Sequence, residues 1–277
     1  MKIKYDESLA VYTSFKMGGI AKELLIPESV EDLMSISNLS VEFWIGGGSN
    51  MLITQRNFDR VLYLGEVDNS ICALGDGQYK VGASVRLQRL ITRINEDRRG
   101  GIEYLISVPG LVGGAIVMNA GRGKEYNASI SDYIVSVDAL VDGSIKTFVR
   151  EKCDFSYRCS IFQKMGAIVL SAIFRFPDMD IEVSRKNKED RLNLCRKSQD
   201  NSYPNFGSVF KLCNPRVMTL VRIGGIRYKG IAFSKKTGNW LLNKGGSYND
   251  AIRLIRFVEL IHKVLKSECE REVIVIE

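Results

Sequence analysis

Two hydrophobic periods alternate along this chain. Over residues 249–266 the apolar positions fall at 251, 254, 255, 258, 261 and 265, the spacing of one helix face. Ser247-x-x-Asp250 just before them reads as a capping box. SVRLQRLITRINED, near 84–97, predicts a second helix. IPESVEDLMSIS predicts a third, opened by Pro27 with acids in its first turn. The polar stretch IEVSRKNKEDRLNLCRKSQ after Pro177 reads as a helical connector. Between these lie strand-like runs: VEFWI, RVLYLG, YIVSVDALV, GSIKTFV, AIVLSAIFRF and the terminal EVIVIE. The pattern is that of an α+β protein with three modest lobes, residues 1–64, 65–196 and 197–277. It has no internal repeat and no low-complexity tract.

Composition narrows the class. The 277 residues are 45% hydrophobic and 26% charged, the mixture of a soluble globular protein. No apolar run approaches the roughly 20 residues that span a bilayer. MKIKYDESLAVYTSF lacks the apolar core of a secretory signal, so a cytoplasmic protein without membrane contact is expected. Cysteines 72, 153, 159, 195, 213 and 269 form no C-x-x-C pair, so neither a disulfide framework nor a zinc site is suggested. The one histidine, His262, falls within the 249–266 helix and reads as structural. Acid–base chemistry is therefore left to Ser, Glu, Lys, Tyr or Cys, and histidine triads and multi-histidine metal sites are excluded; no metal is expected. A net charge of +7 is compatible with nucleic acid, but the basic residues are dispersed and often sit beside acids, as in KNKEDR and SECERE. Attraction of phosphorylated small molecules fits that distribution better.

Glycine placement points to the chemistry. VEFWI runs into Gly46-Gly47-Gly48-Ser49-Asn50, where bare backbone is concentrated. A dinucleotide fingerprint would need a third glycine where Met51 stands, followed by a long helix. A P-loop is also absent, because Gly121-Arg-Gly-Lys124 continues with Glu125. Two readings remain for the stretch: a tight-turned core loop, or successive N–H groups forming a concave anion site to which Ser49 and Asn50 add donors. GIEYLISVPGLVGGAIVMNAGRG (101–123) is a second such stretch, with Pro109-Gly110, Gly113-Gly114 and Asn119-Ala120-Gly121. Two loops of this kind in adjacent lobes suggest one long ligand carrying a diphosphate.

The ordered set GGGSNMLI, GIEYLISVPGLVGGAIVMNAG, FSYRCSIF, NFGSVFK and EREV resembles the UDP-N-acetylenolpyruvoylglucosamine reductase (MurB) family over nearly the whole chain. SFKMGGIAKELLIPESVEDL and NWLLNKGGSYNDAIRLI match as well. The short span between Arg158 and Ser208 resembles the subclass that lacks an extra substrate-covering loop. The resemblance implies two lobes that form a vanillyl-alcohol-oxidase-type FAD-binding unit, and a third lobe for a UDP-sugar. It implies that NADPH reduces FAD and that the flavin then reduces an enolpyruvyl ether, with no obligate protein partner. Gly46, Gly47, Gly48, Ser49 and Asn50 would cradle the FAD pyrophosphate. Pro109, Gly110, Gly113, Gly114, Asn119, Ala120 and Gly121 would complete the cofactor pocket.

Three residues match the family's catalytic positions. Arg158 would hold the substrate carboxylate, a task suited to a permanently charged, bidentate guanidinium. Ser208 would protonate the enolate-like intermediate. Glu272 would be protonated or closely paired with Arg158, with Glu270 as the near alternative. Tyr157 and Lys211 would contact substrate, and Lys211 would assist Ser208. Two departures lie in the third lobe. Lys211 is followed by Leu212-Cys213 before Asn214-Pro215, two residues longer than the family pattern. Thr237 stands where the family tends to carry histidine. A flavin oxidoreductase acting on another nucleotide-sugar or small acid, or a flavin-binding protein without turnover, are the rival readings.

Overall fold

The computed structural model describes residues 1–36, 40–123 and 127–277. Glu125, which breaks the P-loop pattern, and Lys124 before it lie outside the described residues. The chain forms two compact units. The first comprises Met1–Lys4, Leu24–Gly47 and Arg60–Cys195; the second comprises Tyr5–Glu23, Gly48–Asp59 and Arg196–Glu277.

The first unit is built on an antiparallel five-stranded sheet, ordered Ser144–Val149, Ile134–Val141, Ile168–Arg175, Gln78–Gly82, Ile71–Gly75. Its central strands are rich in Val, Ile, Leu and Phe, residues that pack well on a pleated surface. Leu87, Leu90, Ile91 and Ile94 are the buried stripe of the helix Leu87–Glu96, and they join Val81, Val137 and Phe174 in one core. Burial of each such side chain contributes about 1.5–3 kcal/mol. That helix starts three residues later than its pattern suggests. Ser84 is held instead by the sheet side of the chain, donating from Oγ to the Leu64 carbonyl at 2.7 Å. The short helix Val112–Val117 packs on Ile168–Arg175 and Gln78–Gly82.

A second core of the same unit gathers Leu25, Leu33, Leu62, Val67, Leu140 and Leu170. It receives the helix Val30–Ser35. Ser29, rather than Pro27, opens that helix, its Oγ accepting from Asp32 N at 3.1 Å. Phe43–Ile45 runs parallel to Asn57–Tyr63, with Phe43 opposite Val61.

The second unit has a four-stranded antiparallel sheet, ordered Asn205–Gly207, Trp240–Asn243, Ile231–Phe233, Arg227–Tyr228. Helices Pro215–Gly224 and Tyr248–Val264 share its core with Phe206, Phe210 and Phe233. The capping box is formed in full: Ser247 Oγ accepts from Asp250 N, and the Asp250 carboxylate accepts from Ser247 N. His262 is wholly buried. Its Nε2 accepts from Asn214 N at 3.1 Å, so Nδ1–H donates to the Val258 carbonyl at 2.8 Å. The only histidine of the chain is a structural tie.

The C-terminal strand is split. Glu270–Arg271 pairs antiparallel with Phe210–Leu212, and Ile274–Ile276 pairs parallel with Met51–Ile53. Among the described residues no helix is long and apolar enough to cross a membrane, and no metal-binding cluster is found.

Candidate functional site

The three successive glycines have three different uses. A Cβ on Gly46 would meet nothing within 4 Å, so this backbone faces open space. A Cβ on Gly47 would lie 3.2 Å from Gly110 Cα and from Leu111 N, so the two glycine loops touch here. Gly48 has φ +59, and a Cβ there would lie 1.9 Å from the Tyr12 carbonyl oxygen. Only glycine satisfies both demands at that position. No acceptor among the described residues takes the N–H groups of Gly46, Gly47, Gly48 or Ser49. Successive unspent N–H groups are the kind of backbone from which anion-binding concavities are built.

Asn50 serves differently. Its Nδ2 donates to the Glu272 carbonyl at 2.9 Å, and its own carbonyl accepts from Ile274 N at 3.0 Å. Asn50 therefore fixes the strand that carries Glu272. Ser49 contributes its carbonyl to Ser14 Oγ at 3.2 Å.

The second loop is equally specific. Gly113 N donates to the Ala83 carbonyl at 2.9 Å, and a Cβ on Gly113 would lie 2.9 Å from Ala83 Cβ. Gly114, like Gly46, faces open space. Pro109 is exposed at the loop's tip, and the Gly110 carbonyl accepts from Leu87 N. Asn119 is buried with both ends of its amide engaged: Nδ2 donates to the Ser156 carbonyl at 2.9 Å, and Oδ1 accepts from Ser131 N. The Ala120 carbonyl accepts from Ile130 N, and Gly121 pairs with Ser129 so closely that a Cβ would lie 2.3 Å from the Ala128 carbonyl oxygen.

Asn119 links this loop to Arg158. Ser156 and Cys159 exchange backbone hydrogen bonds, which makes a tight hairpin with Tyr157 and Arg158 at its tip. Arg158 has φ +54, a left-handed conformation that costs a non-glycine residue on the order of 1 kcal/mol. Ser160 Oγ pins the hairpin from the other side, donating to the Val117 carbonyl at 2.7 Å. Arg158 Nη2 donates to the Gly121 carbonyl at 3.0 Å, and its guanidinium lies 5.4 Å from the Tyr157 ring centroid. The hairpin borders a cavity of about 670 Å³, lined also by Asn119, Gly121, Ser131 and Arg150.

Tyr104 was not singled out by its sequence. Its hydroxyl is buried without a hydrogen-bond partner among the described residues, on a turn packed against Gly121–Gly123. Burial raises its phenol well above the ordinary range, so it stays a neutral donor. A buried hydroxyl without a protein partner is open to a bound group or an ordered water. By contrast, Glu103 beside it is fully satisfied by Asn95, Gly101 N and Ser184, and is structural.

Ser208 and Glu272 belong to the second unit. Ser208 follows Gly207 through a cis peptide bond and is half-buried. Its hydroxyl has no partner among the described residues. Gly207 is required by Trp240, whose indole Cδ1 lies 2.1 Å from the place a Cβ would take. Glu272 N and Val273 N both donate to the Val209 carbonyl, which brings Glu272 next to Ser208 in the backbone network. Lys211 is ion-paired with Glu270 at 2.6 Å. Asn239, also missed in sequence, accepts from Phe210 N and donates to the Phe210 carbonyl, a two-point clamp on the strand that follows Ser208. Its sequence signals are the turn-like Gly238-Asn239 and its place at the head of the matching stretch NWLLNKGGSYNDAIRLI. Asn214, displaced by the Leu212-Cys213 insertion, caps the helix Pro215–Gly224. Thr237 lies in a turn, its N–H donating to Ser234 Oγ.

The FAD binding domain family matches residues 21–148. A UDP-N-acetylenolpyruvoylglucosamine reductase of Carboxydothermus hydrogenoformans is 34% identical, over 93% of this chain and 88% of that protein. One from Pelobacter propionicus is 32% identical, over 92% of this chain and 88% of its own length. The crystal structure of the Thermus caldophilus UDP-N-acetylenolpyruvylglucosamine reductase superposes with a TM-score of 0.83 at 25% identity, covering 100% of both chains.

Proposed function

This chain belongs to the family of UDP-N-acetylenolpyruvoylglucosamine reductases, and we propose that Arg158, Ser208 and Glu272 carry its reaction. The protein is an FAD-dependent, NADPH-consuming reductase, and it forms UDP-N-acetylmuramate from UDP-N-acetylglucosamine enolpyruvate for peptidoglycan precursor synthesis. Its α+β fold is of the vanillyl-alcohol-oxidase type. We assign FAD to the lobes 1–64 and 65–196 and the UDP-sugar to 197–277. The FAD-domain match, which runs from the first of these lobes into the second, supports that assignment. A cytoplasmic setting without an obligate protein partner fits both nucleotide substrates.

The observation that carries the cofactor assignment is the row of unspent N–H groups from Gly46 to Ser49, beside the contact between Gly47 and Gly110. Gly114, open in the same way as Gly46, and the unpartnered Tyr104 hydroxyl support it. The purified protein is expected to be yellow, with one FAD per chain. The visible spectrum and the flavin released on denaturation test this. A colourless preparation that takes up no added FAD would overturn the reading.

FAD held by the two glycine loops would supply the hydride relay between NADPH and the vinyl CH2 of the enolpyruvyl ether. Negative charge then develops on the neighbouring carbon and its carboxylate. Arg158 supplies fixed positive charge for that carboxylate, and its hairpin, pinned by Asn119 and Ser160, holds the guanidinium before the charge appears. Tyr157 shares the same hairpin and would border the substrate. Ser208, with an uncommitted hydroxyl, delivers the proton to carbon. Glu272 completes the acid–base set, and the Asn50 and Val209 contacts hold its backbone. Lys211 is drawn towards Glu270, which leaves Glu270 engaged as an ion-pair partner.

Glu272→Gln is therefore expected to lower substrate reduction by ~10²-fold or more, the scale of one lost transition-state group. Steady-state turnover measured beside an unchanged circular dichroism spectrum checks this. Wild-type turnover would move the role to Glu270 or remove it.

A further inference from the structure

Phe210–Leu212 and Glu270–Arg271 pair antiparallel, with Leu212 opposite Glu270. The pair carries a register shift between Phe210 and Leu212, and continuing the Leu212–Glu270 register by one residue places Cys213 opposite Cys269. Opposed residues in an antiparallel pair have Cα atoms about 4.5–5.5 Å apart. A disulfide spans about 4.4–6.8 Å between Cα atoms. Both cysteines are half-buried free thiols packed against the same core, so their side chains share one face of the pair. The two are close enough that charge on Cys213 disfavours charge on Cys269. Cys213 also belongs to the two-residue extension after Lys211 that the catalytic reading leaves without a role.

We propose that Cys213 and Cys269 are a redox pair that closes to an intrachain disulfide and staples the strand leading to Glu272 onto the strand that follows Ser208. The oxidant is a low-molecular-weight disulfide of the glutathione class. The thiolate of one cysteine attacks the oxidant, breaks its S–S bond and releases one small thiol. The second cysteine, on losing its proton, attacks the resulting mixed disulfide and releases the second. Two protein thiols thus give up two electrons and two protons, and the oxidant becomes two thiols. In a reducing pool the pair remains a dithiol.

Two consequences are specific. The C-terminal segment is held on this side by a two-residue strand, the kind of terminal element that frays. Closure suppresses that fraying, so exchange of the Glu272 N–H, which donates to the Val209 carbonyl, should slow by roughly tenfold or more. The thermal midpoint should rise by on the order of 5–10 °C. Closure is also slow at neutral pH. Burial raises the Cys213 thiol and lifts Cys269 to about 11, and Glu259 pushes Cys269 the same way while Arg271 opposes it. The Asn239 amide, 3.9 Å from Cys213 Sγ, adds no charge. The closure rate should rise about tenfold per pH unit from ~7 and still be rising above ~9, where an ordinary thiol levels off.

The test uses the full-length flavoprotein, held either in dithiothreitol or in excess oxidised glutathione, with non-reducing peptide mapping by mass spectrometry. The expected product is a single cross-linked peptide pair containing Cys213 and Cys269, lighter by two hydrogens and reversed by dithiothreitol. Cys213→Ser and Cys269→Ser should each leave a glutathione adduct on the remaining cysteine and no rise in thermal midpoint. Stable glutathione adducts in the wild type, a cross-link through Cys72 or Cys159, or no change at Cys213 and Cys269 would each overturn the proposal. None of these readouts depends on turnover, so they stand apart from the catalytic assignment.

Discussion

Replacing Gly46 by aspartate is expected to leave a folded but colourless protein. A Cβ at this position meets nothing within 4 Å, so the side chain enters open space without displacing any protein atom. The carboxylate would then stand beside the N–H groups of Gly46 to Ser49, where the cofactor diphosphate is proposed to lie. At ~4 Å and an effective dielectric of ~20, two unit charges repel by about 4 kcal/mol. FAD affinity should therefore fall by ~10³-fold. Flavin content after gel filtration and titration of the apoprotein with FAD measure this. The apoprotein's thermal midpoint should match wild type. Full retention of FAD would remove the 46–49 loop from the pyrophosphate site.

The same change at Gly47 would mean something else. Its added atoms would press on Gly110 and Leu111 and force the two glycine loops apart. Flavin loss there would come with lost stability and would not isolate repulsion. Glycine spacing in the sequence singles out all three positions equally. Which one faces a ligand, which one faces the other loop and which one needs a left-handed backbone depends on long-range packing.

That distinction sets how far the sequence could be read. The helix Tyr248–Val264 and its capping box are local features, decided within a few residues, and they appear where the pattern puts them. The central strands of the five-stranded sheet are legible for the same reason. The duties of Asn50 and Asn119 are not local. Asn50 reaches a carbonyl 222 residues away, and Asn119 reaches one 37 residues away, so nothing near them in sequence announces the partner. Both resemble ligand donors in a motif, and in the fold their side chains also tie down the chain at Glu272 and the Arg158 hairpin. Asn239 and Tyr104 are the converse case. Each lies in a stretch that the family resemblance covers, yet each gains its own meaning only from the chain that folds against it.

Ser208→Ala should separate the two halves of the reaction. Flavin reduction by NADPH requires no proton on the sugar substrate, whereas completing the enolate does. The uncommitted Ser208 hydroxyl is the group assigned to that proton, and removing it leaves the neighbouring backbone intact. Asn239 still clamps Phe210, and Val209 still receives the N–H groups of Glu272 and Val273. The variant should therefore take up FAD and be bleached by NADPH at nearly the normal rate. Re-oxidation by the enolpyruvyl substrate should slow by ~10²–10⁴-fold, the scale for a lost general acid. Anaerobic stopped-flow absorbance reads both steps on one sample. Loss in neither step would take Ser208 out of the mechanism. Equal loss in both would mean that the substitution acts through flavin binding or folding, because a proton donor to the substrate has no part in the first step.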